Sequence, residues 1–124
     1  MLTYAGNLEK ISLEARSAPN YLFEQVDIRD VDALRKIYSK YKPTDIIHFA
    51  AESHVDNSIR NPRLFTEVNV LGTQNLLDLH REFCMNRFHY ISTDEVYGDI
   101  PESGFFTEET HIEPSSPYSA SKAG

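Results

Sequence analysis

The chain has 124 residues, 40% of them hydrophobic, and its 12 Lys and Arg against 19 Asp and Glu give a formal charge of -7. That length holds one domain at most, and the acidic balance argues against a nucleic-acid backbone as the main partner. No stretch approaches the roughly 18 apolar residues of a membrane span, and the start lacks the basic-then-apolar pattern of a secretory signal.

Tyr21 to Ile28 is rich in aromatic and branched residues and predicts a strand over 22–28. Asp30 is placed to cap a helix whose apolar positions Val31, Leu34, Ile37, Tyr38 and Tyr41 follow i, i+3, i+4 spacing, with Lys42-Pro43 as its stop. Asp45 to Ala50 is a continuous apolar run of the kind found in a strand covered on both faces. A polar segment from Glu52 to Asn61 leads to Pro62, which suits the first turn of a helix predicted to run to about Phe83. Within it, Asn69 and Gly72 are unfavourable residues for a helix interior.

Cys84 is the only cysteine, so no internal disulfide can form, and a reducing compartment, the cytoplasm, is expected. With His80 and His89 nearby it offers too few converging ligands for zinc, so no metal is expected and the thiol is predicted to be buried and inert. A strand over Phe88–Ser92 follows. Then comes an irregular stretch to Pro117, too long for a simple connector and expected to be a binding loop, and finally the start of a helix. Strand, helix, strand, helix, strand with short links predicts an α/β protein with right-handed crossovers on a parallel sheet.

Two short stretches carry chemistry. Ser92-Thr93-Asp94-Glu95-Val96-Tyr97-Gly98 places a hydroxyl and two adjacent carboxylates directly after a strand, where α/β proteins put their active groups. Tyr118-Ser119-Ala120-Ser121-Lys122 sets a phenol and an ammonium on one helix face. A cation beside a tyrosine hydroxyl favours the phenolate, as needed to take a proton from an alcohol near neutral pH. Each stretch also has a plain reading: a helix start with a solvated lysine, and two loop carboxylates. A dinucleotide-binding sheet further requires a glycine-rich turn after its first strand. Gly6, Gly72, Gly98, Gly104 and Gly124 are too scattered to form one, so the chain is expected to be cut at both ends.

Taken together, Leu2 to Asn7, Asp27-Ile28-Arg29-Asp30, His48 to Asp56, Asn69-Val70-Leu71-Gly72-Thr73, Ser92 to Gly98 and Ser115 to Lys122 occur in an order that resembles the dTDP-glucose 4,6-dehydratase family of extended short-chain dehydrogenase/reductases. Tyr-x-x-x-Lys alone is shared across that superfamily, whereas Thr-Asp-Glu-Val-Tyr-Gly is far more specific. The resemblance implies a Rossmann-like doubly wound parallel sheet. Residues 1–124 would be an internal part of the NAD-binding catalytic domain, without its first strand, turn and helix and without the C-terminal substrate region.

It also implies roles. Tyr118, assisted by Lys122, would take the sugar 4-hydroxyl proton, with Thr93 on the 4-oxygen. Glu95 would remove the proton on carbon 5, and Asp94 would protonate the departing 6-hydroxyl. Leu2, Thr3, Asp27, Ile28, Ala50, Ala51, Glu52, Ser53 and Val68 map to NAD contacts together with Tyr118 and Lys122, and Ser53 also reaches the substrate. Val68 stands where threonine is common. Asn69 would bend its helix near the lysine, and full-length members would pair as homodimers. A UDP-sugar dehydratase or decarboxylase of the same superfamily, and a non-catalytic fragment, are the competing readings. The isolated chain is expected neither to fold stably nor to bind NAD, because the strands at 22–28 and 45–50 lack the neighbour that would bridge them.

Overall fold

The computed structural model describes residues 6–99 and 104–124, so Leu2 and Thr3 of the expected cofactor set lie outside the described residues. After a 3-10 turn at Leu8–Lys10 come α1 (Leu13–Ser17), α2 (Val31–Tyr41), β1 (Asp45–His48), α3 (Val55–Arg60) and α4 (Pro62–Phe65). Helix α4 runs through a π-helical segment, Thr66–Leu71, into α5 (Gly72–Glu82). Strand β2 (Arg87–Tyr90), a 3-10 turn (Asp94–Tyr97) and α6 (Pro117–Ala123) complete the order. Strands β1 and β2 pair in parallel, with Ile46 opposite Phe88 and His48 opposite Tyr90.

Local chemistry explains the boundaries. Asp30 accepts the Ala33 N–H at 3.0 Å and starts α2. At the other end Lys42 turns left-handed (φ 48°) and donates to the Tyr38 carbonyl, and Pro43 prevents continuation. Pro62 opens α4 behind an Asn61 cap, and Ser116 with Ser119 forms a capping box ahead of Pro117 and α6.

Strand pairing, α2 and α5 enclose a core of Leu34, Tyr38, Ile46, Leu76, Leu79 and Met85, with Val26, Ile28, Ile37, Phe83 and Phe88 packed against it. The sheet face bearing Ile46 and His48 is covered, whereas Ile47 and Phe49 stand 66% and 72% exposed. The predicted strand over 22–28 does not form. A strand exists only where a neighbouring backbone meets its N–H and C=O groups, and the sheet among the described residues is β1 with β2 alone. Val26 and Ile28 nevertheless keep their place against the core.

The expected helix over 62–83 is continuous, but its middle has π geometry where Asn69 turns inward. The polar segment after Glu52 contains α3, which has no side-chain cap to announce it. Cys84 is exposed rather than buried, because it sits in a left-handed turn (φ 50°) that ends the helix and faces it outward.

Candidate active site

Every expected catalytic group gathers at the C-terminal end of β2. Thr93 caps the 3-10 turn, its hydroxyl oxygen accepting the Glu95 N–H at 3.3 Å and lying 3.3 Å from Asp94 Oδ1. Asp94 and Glu95 occupy the first turn, exposed to solvent. The far end of that turn is fixed by Gly98, whose φ of 91° suits glycine and where a Cβ would stand 2.6 Å from the Glu113 carbonyl oxygen. The Glu113 N–H closes the same contact by donating to the Val96 carbonyl at 3.0 Å, so the long loop returns to brace the acidic turn.

Helix α6 packs against this end. Tyr118 is 9% exposed, its ring edge-on to the fully buried Phe65 at 6.4 Å. Burial pushes the Tyr118 phenol up, the nearby Thr93 hydroxyl opposes this, and the charges of Glu95 and Asp94 add to the rise.

Lys122 finds its close partners elsewhere. Its ammonium donates to the Ile91 carbonyl at 2.6 Å and lies 4.1 Å from the centre of the Tyr90 ring, and burial lowers its own pKa. Sharing a helix face with Tyr118 therefore does not by itself make the ammonium the phenol's counter-charge.

Beneath the lysine lies a chain of polar groups whose connections sequence spacing could not show. Thr73 Oγ1 donates to the Asn69 carbonyl at 2.6 Å, so His48 Nε2, 2.9 Å away, must be the donor to Thr73. Burial first, and then the Lys122 charge, push His48 down to about 4, so it is neutral at physiological pH. Asn69, 2% exposed, accepts the Glu52 N–H at 2.8 Å and donates to the Glu52 carbonyl at 2.9 Å and to Ser121 Oγ at 2.8 Å. One side chain thus ties the loop after β1, the π segment and α6 together. The one sequence signal was an asparagine in mid-helix.

Asp27, Ile28, Ala50, Ala51, Glu52 and Val68 line a single cleft of about 260 Å³, joined by Val26, Arg29 and Phe49. Ser53 is exposed just beyond Glu52 and does not line it. Asp27 accepts from the Arg29 N–H at 3.0 Å and from its guanidinium at 2.7 Å, which holds the carboxyl at about 2. Asp27 is therefore both a turn residue and an ionised acceptor at the cleft wall. Gly72 lets α5 close on this wall, since a Cβ there would meet Ile28 Cδ1 at 2.6 Å. Asn75 completes the junction by donating to the Ile28 carbonyl at 3.0 Å. Apolar walls with a carboxylate at the edge fit the flat, amino-bearing adenine end of a dinucleotide.

A parallel sheet with a Tyr-x-x-x-Lys helix behind its C-terminal end and such a cleft beside it defines the short-chain dehydrogenase/reductase class. Comparison with known proteins narrows this. The chain belongs to the GDP-mannose 4,6 dehydratase family, whose sequence model matches residues 1–124. It is 48% identical over 132 residues to the dTDP-glucose 4,6-dehydratase of Neisseria meningitidis and 45% identical over 140 residues to dTDP-glucose 4,6-dehydratase 1 of Escherichia coli. Each match takes in 98% of this chain but only 37% and 38% of those relatives, so the chain spans well under half their length.

Among solved structures, a dTDP-glucose 4,6-dehydratase of Streptomyces venezuelae crystallised with NAD superposes with a TM-score of 0.91 at 47% identity, over 99% of this chain and 37% of that one. A Thermus thermophilus UDP-glucose 4-epimerase in complex with NAD gives 0.85 at 33% identity, over 97% and 37%.

Proposed function

We propose that residues 1–124 are part of the NAD-binding catalytic domain of a dTDP-glucose 4,6-dehydratase, a lyase that forms dTDP-4-keto-6-deoxyglucose by oxidation at carbon 4, loss of water across carbons 5 and 6, and return of the hydride. The observation that carries this reading is the packing of helix α6, which bears Tyr118, against the turn of Thr93-Asp94-Glu95 at one strand end. An epimerase or simple dehydrogenase needs the phenol but has no use for a neighbouring acid pair.

Tyr118 takes the 4-hydroxyl proton while Thr93 steadies the 4-oxygen. Glu95 removes the proton on carbon 5, made acidic by the adjacent ketone, and Asp94 delivers a proton to the departing 6-hydroxyl. Protonation of Asp94 for that role also removes one of the negative charges that raise Tyr118. Ser53 completes the sugar side. Bound NAD supplies the hydride acceptor and a cationic ring that favours the phenolate. Asp27 and Ile28 would hold its adenine edge, with Leu2 and Thr3 near the adenosine ribose; Ala50, Ala51, Glu52 and Ser53 would follow the nicotinamide side with Tyr118 and Lys122, and Val68 would be a further cofactor contact.

The 124 residues alone are expected to be inactive. Their sequence carries no glycine-rich phosphate turn, and the uncovered sheet face leaves Ile47 and Phe49 in water. At its natural length the protein would act as a homodimer in the cytoplasm; among the described residues no helix is long and apolar enough to cross a membrane.

Incubation of the natural-length protein with dTDP-glucose and, separately, UDP-glucose tests the proposal. The alkali-induced absorbance of a 4-keto-6-deoxy sugar is expected from the first. Its appearance only with UDP-glucose would assign the chain to a UDP-sugar enzyme of the same superfamily.

A further inference from the structure

We propose that Tyr90 is a positioning residue for this reaction: its ring is the platform that holds the Lys122 ammonium at the end of β2. The inference rests on the functional reading above and adds a residue to which neither the motifs nor the relatives assign a role.

A lysine only 6% exposed needs partners for its charge. The Ile91 carbonyl takes one N–H, and none of the ion pairs among the described residues includes Lys122. The negative face of the Tyr90 ring, centred 4.1 Å away, supplies the remaining stabilisation. The ring is itself fixed. Its centre lies 5.3 Å from that of the His48 ring across the parallel pair.

The platform has a second effect. A cavity of about 340 Å³ lined by Asn69, Thr73, Leu77, Phe88, Tyr90 and Lys122 adjoins the lysine stem. Without the aromatic ring the flexible four-carbon stem has an alternative place to go, away from Tyr118 and the acid pair. The ring closes that escape and fixes the charge at the strand end.

The test compares Tyr90→Phe and Tyr90→Leu in the natural-length protein. With the ring kept, kcat for dTDP-glucose should stay within about threefold, and with it lost kcat should fall about tenfold or more while KM moves less than about twofold. Wild-type kcat in Tyr90→Leu, or an equal loss in Tyr90→Phe, would overturn the proposal. A second measurement needs neither activity nor the leucine variant's folding. With lysines labelled at Cε, the Lys122 signal, assigned by its absence in Lys122→Arg, should be shifted upfield by the ring current in the wild type and in Tyr90→Phe. An unshifted wild-type signal rules the platform out. A shifted signal in a protein that does not consume dTDP-glucose supports the platform and places the failure on the functional reading.

Discussion

Asn69 grips the main chain of Glu52 on both sides, accepting its N–H at 2.8 Å and donating to its carbonyl at 2.9 Å. The amide side chain does for this residue what an adjacent strand would do. Asn69→Ala leaves both groups buried without a partner, at about 1–3 kcal/mol each. A loss of about 2–5 kcal/mol in urea unfolding is expected, larger than for an ordinary surface change. Asn69→Asp should be at least as damaging, because it loses both donated bonds and buries a charge.

Gly72 lets α5 pack against Ile28, which lines the cleft proposed to hold NAD. Gly72→Ala gains about 1 kcal/mol of helix propensity but forces the Ile28 side chain away from a contact of 2.6 Å, at a cost of about 1–3 kcal/mol. NAD affinity, read by fluorescence titration, should fall. Adding Ile28→Ala removes both Cδ1 and Cγ1, which would stand 2.6 and 2.7 Å from the new Cβ, and should recover part of it.

His48 makes stability fall in mild acid. Its folded pKa of about 4 lies below the ordinary 6.5, so the unfolded chain binds the extra proton first. The contribution is fully present above pH 6.5 and is lost as pH falls from there to about 4, reaching at most about 3 kcal/mol. Asp27 adds a separate limb between pH 3.8 and about 2, again losing stability as the carboxylate protonates. Urea midpoints measured from pH 7 to 4 should decline in the wild type and flatten in His48→Gln.

Glu95→Gln should divide the reaction. Hydride removal from carbon 4 persists in part, seen as NADH absorbance, while the 4-keto-6-deoxy product is lost by more than about a hundredfold, the usual scale for a missing general base. If NADH never accumulates in this variant, Glu95 has been given the wrong step. The same change removes one charge raising Tyr118, so the phenol should titrate at lower pH.

Elements with local causes were legible in the sequence. Asp30, the apolar spacing of α2 and Lys42-Pro43 marked a helix from both ends, and Pro117 marked the start of α6. The approach of α6 to the turn after Thr93 was legible because family order and strand-end logic agreed. Segment 22–28 has the composition of a strand, but pairing depends on a neighbour and not on composition. Helix α3 is short, polar and uncapped, so it left no periodic trace. The partners of Lys122 come from a strand 31 residues away in sequence, and its Ile91 contact is to a carbonyl that every residue type carries. Spacing alone could show which helix face the lysine shares, not where its charge is spent.

The outward turn of Cys84 has a practical consequence. It is the only thiol in a chain without tryptophan, and it precedes β2 while the reacting groups follow that strand. A dye attached there would be separated from the reacting groups by the length of β2, roughly 13 Å at about 3.3 Å per residue over its four residues. It would report on the sheet without obstructing the sugar.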